Sequence, residues 1–119
     1  MQDNVRFPAE WEPQAAILIA WPNADTDWAD RLAEVEDTYI ALVAAITRFQ
    51  HVLICVADDD VETYADIRLR SNRVDMARVR FVTVPYDDTW LRDSGPITLR
   101  DGADFRLLDF RFTAWGGKF

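Results

Sequence analysis

The sequence predicts a mixed α/β fold in which helices cover a sheet, and three observations carry that expectation. Short β-branched and apolar runs recur at Ala15–Trp21, His51–Ala57 and Arg78–Tyr86. Between the first two lies a long segment whose apolar residues keep a helical period. The order strand, helix, strand in turn predicts parallel pairing, because the crossover must return the chain to the same end of the sheet.

The first run, AAILIAWP, is uninterrupted and closes on Pro22, which reads as a central strand buried on both faces. The following segment offers Thr26 or Asp27 as a helix N-cap. Its apolar residues Trp28, Leu32, Val35, Tyr39, Leu42 and Ile46 advance by fours and threes, and Asp30, Glu34, Glu36 and Asp37 mark its outer face. The run HVLICVA is a second buried strand. DDDVETYADIRLRSN then predicts a more exposed helix capped by Asp59 or Asp60, with Val61, Tyr64, Ile67 and Leu69 as its stripe. A third strand, RVRFVTVPY, alternates apolar Val79, Phe81 and Val84 with polar residues. Beyond it, two strands flank Asp101-Gly102, a pair that tolerates positive φ and suits a tight hairpin turn.

Composition excludes several functions. The chain has 119 residues, half of them apolar, which suits one domain with a real core. A net charge of -8 repels phosphate backbones, so nucleic acid is not an expected partner, and cationic ligands are. One cysteine, Cys55, and one histidine, His51, leave no disulfide framework and too few soft ligands for an ordinary zinc site. No basic, apolar leader opens the chain, and Ala15–Trp21 is too short to span a bilayer, so the expectation is a soluble, cytoplasmic protein without a membrane partner. The sequence contains no internal repeat and no linker long enough to separate a pair of domains.

The stretch DDTWLRDSGP, Asp87 to Pro96, follows the third strand and packs three carboxylates, one arginine and one tryptophan into a segment that ends on a Gly-Pro breaker. Ligands of open α/β sheets gather beyond the carboxyl ends of strands, where loops converge without breaking the sheet. Two readings stand for it. One is a solvated loop whose acids cap the local backbone while Trp90 fills a core gap. The other is a site for a planar cation, since a carboxylate matches a guanidinium in charge and fork geometry and an indole can wall it. Trp90 and Asp93, three residues apart, are the candidates. Arg92 reads as structural, and oxygen coordination of Mg²⁺ by the acids is a minor alternative, with no Gly-rich phosphate loop beside it.

Cys55 sits mid-strand between Ile54 and Val56, the setting of an inert thiol rather than a nucleophile. His51, at the start of that strand, suits a strand-end or surface role. The tryptophans Trp11, Trp21, Trp28, Trp90 and Trp115 read as core or lid residues, and Gly116-Gly117 as a close-approach turn next to Lys118.

PAEWEP near the start, AWP closing the first strand, DDTWLRDSGP and the ending LLDFRFTAWGGKF, in that order, resemble the amino-terminal part of the agmatine deiminase and bacterial peptidyl-arginine deiminase family. The resemblance spans nearly the whole chain, and the central motif with the WGGK ending is its specific part. It implies an α/β propeller of five ββαβ units, of the pentein type, to which this chain gives the first unit and part of the next. It implies the reaction as well: a cysteine thiolate attacks a guanidinium carbon, ammonia leaves, and water activated by a histidine hydrolyses the thiouronium adduct to a ureido product. On this resemblance Asp93 is the catalytic carboxylate that holds the guanidinium, Trp90 walls the substrate, and Asp88 is a structural acid of the motif. The family's histidine, second acid and nucleophilic cysteine belong to segments beyond Phe119, and neither His51 nor Cys55 matches them. The expectation is therefore a fragment, inactive alone, whose partners are a small cationic guanidine and the remainder of the enzyme, with agmatine or peptidyl-arginine as substrate and no cofactor. A non-catalytic module that pairs with a second copy through an exposed sheet edge is the reading of a different class.

Overall fold

The computed structural model describes residues 4–113 and Gly116, so Trp115, Gly117 and Lys118 lie outside the described residues. The chain opens with a short strand β1 (Val5–Arg6), then β2 (Ala16–Ala20), a 3-10 turn at Ala29–Arg31 that runs into α1 (Leu32–Ile46), and β3 (His51–Val56). Helix α2 (Asp59–Ser71), a second 3-10 turn at Met76–Arg78, β4 (Val79–Thr83), a single helical turn α3 (Leu91–Ser94) and the strands β5 (Ile97–Asp101) and β6 (Asp104–Leu108) follow. The fold is mixed α/β, and it divides into two compact units, one of Gln14–Leu91 and one of Met1–Pro13 with Arg92–Phe119.

In the larger unit the strands lie in the order β2-β3-β4 and every pair is parallel. The register sets Ile17 beside Val52 and Val79, and Ile19 beside Ile54 and Phe81. Because side chains alternate along a strand, these six share one face. That face packs with Ile40, Val43 and Ile46 of α1 and Ala65 and Leu69 of α2 in one core, so both helices cover the same side of the sheet. The strands on either side of β3 are joined to it through helices, which is the parallel pairing that the strand-helix-strand order predicts.

Several expectations are corrected. AILIA is not a central strand: β2 lies at one edge of its sheet and β3 takes the centre, so Leu18 on the face away from the helices is 38% exposed. A continuous apolar run cannot by itself distinguish a doubly covered strand from an edge strand that keeps one apolar outer residue. Helix α1 begins at Leu32 without a side-chain cap, because Thr26 and Asp27 belong to the preceding turns. Its buried positions are Glu36, Ile40, Val43 and Ile46, whereas Leu42 is exposed. Glu36, expected on the outer face, is 4% exposed and accepts the indole N–H of fully buried Trp21 at 3.4 Å. A buried indole needs an acceptor, and this one is a carboxylate whose protonation is favoured by its own burial.

Helix α2 is capped by Asp58, one residue before the expected Asp59 or Asp60, its carboxylate accepting the Val61 N–H at 2.9 Å. Ala65 and Leu69 are its buried positions, and Tyr64 and Ile67 stand exposed. A small residue at position 65 lets the helix approach the sheet closely, a contribution that a search for large apolar residues overlooks. Arg68 of α2 reaches the Tyr64 hydroxyl and Asp37 of α1, each at 2.8 Å.

The other unit is antiparallel, with strands in the order β1-β5-β6. Gly102 at φ 62° turns the β5-β6 hairpin where Asp101-Gly102 predicts it. Arg6 and Glu12 form a two-pronged ion pair at 2.6 and 2.8 Å, and Glu12 also accepts the Ala9 N–H, which holds its carboxyl down at about 2. The PAEWEP segment is thereby a brace of this unit, with Trp11 turned to solvent.

Ile54 is fully buried at the middle of the central strand. Replacing it with alanine is expected to lower unfolding free energy by about 3 kcal/mol, read as a lower denaturant midpoint, while Leu18→Ala on the outer face costs about 1 kcal/mol or less. Equal losses at the two positions would contradict the one-sided core.

Candidate functional site

All three strands of the larger unit end on one side of the sheet, and the segments that follow β2 and β4 meet there. Residues 84–90 leave β4 with the Val84 N–H bonded to the Val56 carbonyl at 3.1 Å, one step past the end of the ladder. Tyr86 then donates its hydroxyl to the Trp21 carbonyl at 2.6 Å and accepts from the Asn23 amide at 3.4 Å. The motif is thus hooked onto the chain that leaves β2.

That chain makes a braced turn. Asn23 Oδ1 accepts the Asp25 N–H at 2.8 Å, and the Asn23 carbonyl accepts both the hydroxyl and the N–H of Thr26, at 2.8 and 3.1 Å. The turn presents Trp28, whose indole N–H donates to the Thr89 hydroxyl at 2.9 Å. The two indoles of Trp28 and Trp90 then lie 5.9 Å apart between centroids with their planes tilted by 40°. A cleft of about 460 Å³ opens between this pair and α1, lined also by Thr89, Tyr39, Thr38 and Glu34, with the Arg31–Glu34 ion pair at 3.1 Å along it.

Asp88 anchors the loop from below. It is 3% exposed, and its Oδ1 accepts the Thr89 N–H at 2.8 Å and the Asp27 N–H at 3.4 Å. Burial pushes its carboxyl above the ordinary aspartate range. Burial also raises Tyr39 and Tyr86, the latter to about 12. Electron-rich indole faces lining one cleft with the Glu34 carboxylate can wall a planar cation.

The expected site residues are placed as follows. Trp90 is 51% exposed, so it does not fill a core gap; its neighbour is Trp28. Asp93 is exposed within α3 and belongs to the other unit, which the chain re-enters at Arg92. Cys55 is buried in β3 with its thiol pushed up by burial, the condition of an inert sulfur, and His51 is exposed at the strand's start. Among the described residues no three His, Cys, Asp or Glu side chains converge as metal ligands. No helix among them is long and apolar enough to cross a membrane.

Sequence reasoning left Trp28 in a helical stripe and did not find its contact with Trp90, 62 positions later. The readable signal was topological, since loops after parallel strands share one end of a sheet. Tyr86 shows how tightly the loop is held. Its folded value of about 12 lies above the ordinary 10.0, so its contribution to stability is complete below pH 10 and is lost as pH rises through 12. Phenolate absorbance is expected to show a tyrosine step at about 12 that disappears in Tyr86→Phe; if Tyr86→Phe removes no absorbance there, the hook is not formed.

Comparison with known proteins places these features in a family context. The family model for Porphyromonas-type peptidyl-arginine deiminase matches residues 6–119. An agmatine deiminase of Stutzerimonas stutzeri is 36% identical over 118 residues, which are 98% of this chain and 30% of that protein. One from Pseudomonas aeruginosa is 34% identical over 116 residues, 97% of this chain and again 30% of the relative. Among solved structures, a C. jejuni agmatine deiminase with substrate bound superposes with a TM-score of 0.80 at 30% identity, over 97% of this chain and 32% of that one. The chain therefore spans about a third or less of the length of the proteins that it matches.

Proposed function

Because the chain belongs to the Porphyromonas-type peptidyl-arginine deiminase family, we propose that it is the amino-terminal part of a guanidine-modifying deiminase and supplies one side of the substrate site. Trp90 walls the planar guanidinium, and Asp93 binds it through charge-assisted hydrogen bonds that fix which nitrogen departs. The observation that carries this reading is the half-exposed Trp90 on a loop hooked to the carboxyl end of a parallel sheet. A residue meant only for packing would be buried there.

The reaction proposed for the whole protein is hydrolysis of agmatine to N-carbamoylputrescine and ammonia. A cysteine thiolate forms a C–S bond to the guanidinium carbon, the C–N bond to ammonia breaks, and water then displaces the sulfur to leave the ureido product and the thiol. Nucleophile and histidine base lie outside this chain, since Cys55 is buried and His51 begins a strand on the surface. We place both units within a larger propeller on the same reading. The family name favours peptidyl-arginine as the second substrate to test, and the acidic balance of -8 suits either cation.

The deciding experiment measures ureido product from agmatine and from a peptidyl-arginine with the full-length product of the reading frame. Asp93→Asn is expected to lower kcat/KM by about 100-fold or more, and Trp90→Ala to raise KM by about tenfold. The 119-residue chain alone is expected to give no product. Full activity in Asp93→Asn would remove that residue from the site, and absence of product from both substrates would favour the non-catalytic module.

A further inference from the structure

We propose that Asp88 is a positioning residue that works as a neutral acid, donating a hydrogen bond from Oδ2 to the carboxylate of Asp27 and so fixing the segment that carries Trp90. Its two oxygens have unlike surroundings. Oδ1 accepts two backbone N–H groups, from Thr89 and Asp27. Oδ2 is buried and accepts no hydrogen bond from any donor among the described residues. An ionised carboxylate would leave that oxygen charged and unsolvated, at a large cost, whereas a protonated one has an O–H to donate. The carboxyl of Asp27 lies within hydrogen-bonding reach of the Asp88 carboxyl, and this contact favours the protonated form of Asp88.

Asymmetric burial decides which acid holds the proton. Asp88 is 3% exposed and Asp27 lies at the surface, so water stabilises the charge on Asp27 and the proton resides on Asp88. Among the described residues the titratable groups facing Asp88 are Asp27 from the turn after β2 and the Tyr39 hydroxyl from α1, which also meets Thr89. Neither is a cation that would favour ionised Asp88. Two like charges across this contact would push residues 27 and 88 apart, and with them the Trp28–Thr89 bond and the Trp28–Trp90 contact that hold the indole wall.

The sign of the pH dependence follows. A carboxyl whose folded value is raised contributes stability that is complete below the ordinary aspartate range and is lost as pH rises through the raised value. The parent chain should therefore loosen at the loop on the alkaline side, while acid leaves this contact intact. The consequence for turnover rests on Trp90 being a substrate wall; the shared proton does not.

The test follows the side-chain ¹³C resonance of Asp88 in the full chain, assigned by its loss in Asp88→Asn, together with melting temperature from about pH 4 to about pH 9. The expected result is that Asp88 titrates above the ordinary aspartate range. Asp88→Asn, whose amide donates to Asp27 without titrating, should melt about 4 °C higher than the parent at the alkaline end and lose this share of the pH dependence. Asp27→Asn, altered only at the surface, should return Asp88 toward the ordinary range by donating to it, and Asp88→Ala should be destabilised at every pH. Titration of Asp88 in the ordinary range, or an Asp88→Asn variant as unstable as Asp88→Ala, would overturn the proposal. An Asp88 resonance that titrates as expected while the KM for guanidine stays flat across the same pH range would support the shared proton and remove Trp90 from the substrate site.

Discussion

Parallel pairing on both sides of β3 is the constraint on which the larger unit depends. A strand that receives parallel neighbours on both edges cannot be reached by hairpins, so the chain has to cross over twice, and here it does so through α1 and α2. Both crossovers bury apolar side chains on one face of the sheet, which explains why Ile17, Ile19, Val52, Ile54 and Phe81 share one core with both helices. The same constraint gathers the carboxyl ends of three strands on one side. Everything that makes a cleft there, including the Trp28 turn and the hooked 84–90 loop, follows from that gathering.

How the loop is held explains why it can carry an exposed aromatic. Trp90 alone would be a large apolar side chain standing half in water. The backbone beneath it is fixed by Tyr86 on the Trp21 carbonyl, by Trp28 on the Thr89 hydroxyl and by Asp88 on two N–H groups. All of those bonds except the local one from the Thr89 N–H to Asp88 reach back to the segment after β2, so the indole wall is preorganised by the same packing that builds the core. Preorganisation of this kind matters to the proposed guanidinium site because orientation, more than charge alone, selects the bond to be broken.

Much of the fold was legible from periodicity and turn chemistry. The parallel order, the presence of a helix between β2 and β3, though not its start, and the Gly102 hairpin were readable because each rests on a local pattern. What was not legible depended on partners distant in sequence. Glu36 reads as a surface acid until the indole of Trp21 is placed against it, and β2 reads as central because a run of apolar residues does not reveal which edge is paired. The pairing of Trp28 with Trp90 is of the same kind. Asp88 could be named as a structural acid from its motif, but its burial and its contact with Asp27 needed three dimensions.

The buried sulfur of β3 has a use that its inertness makes possible. Cys55 is the only cysteine in the chain, it lies in the central strand beside Ala20 and Val82, and burial keeps its thiol protonated. A thiol reagent can then react only when the central strand separates from its neighbours, so the rate of modification counts openings of the sheet. Within these 119 residues the sheet carries a built-in clock for its own breathing, with a single hand.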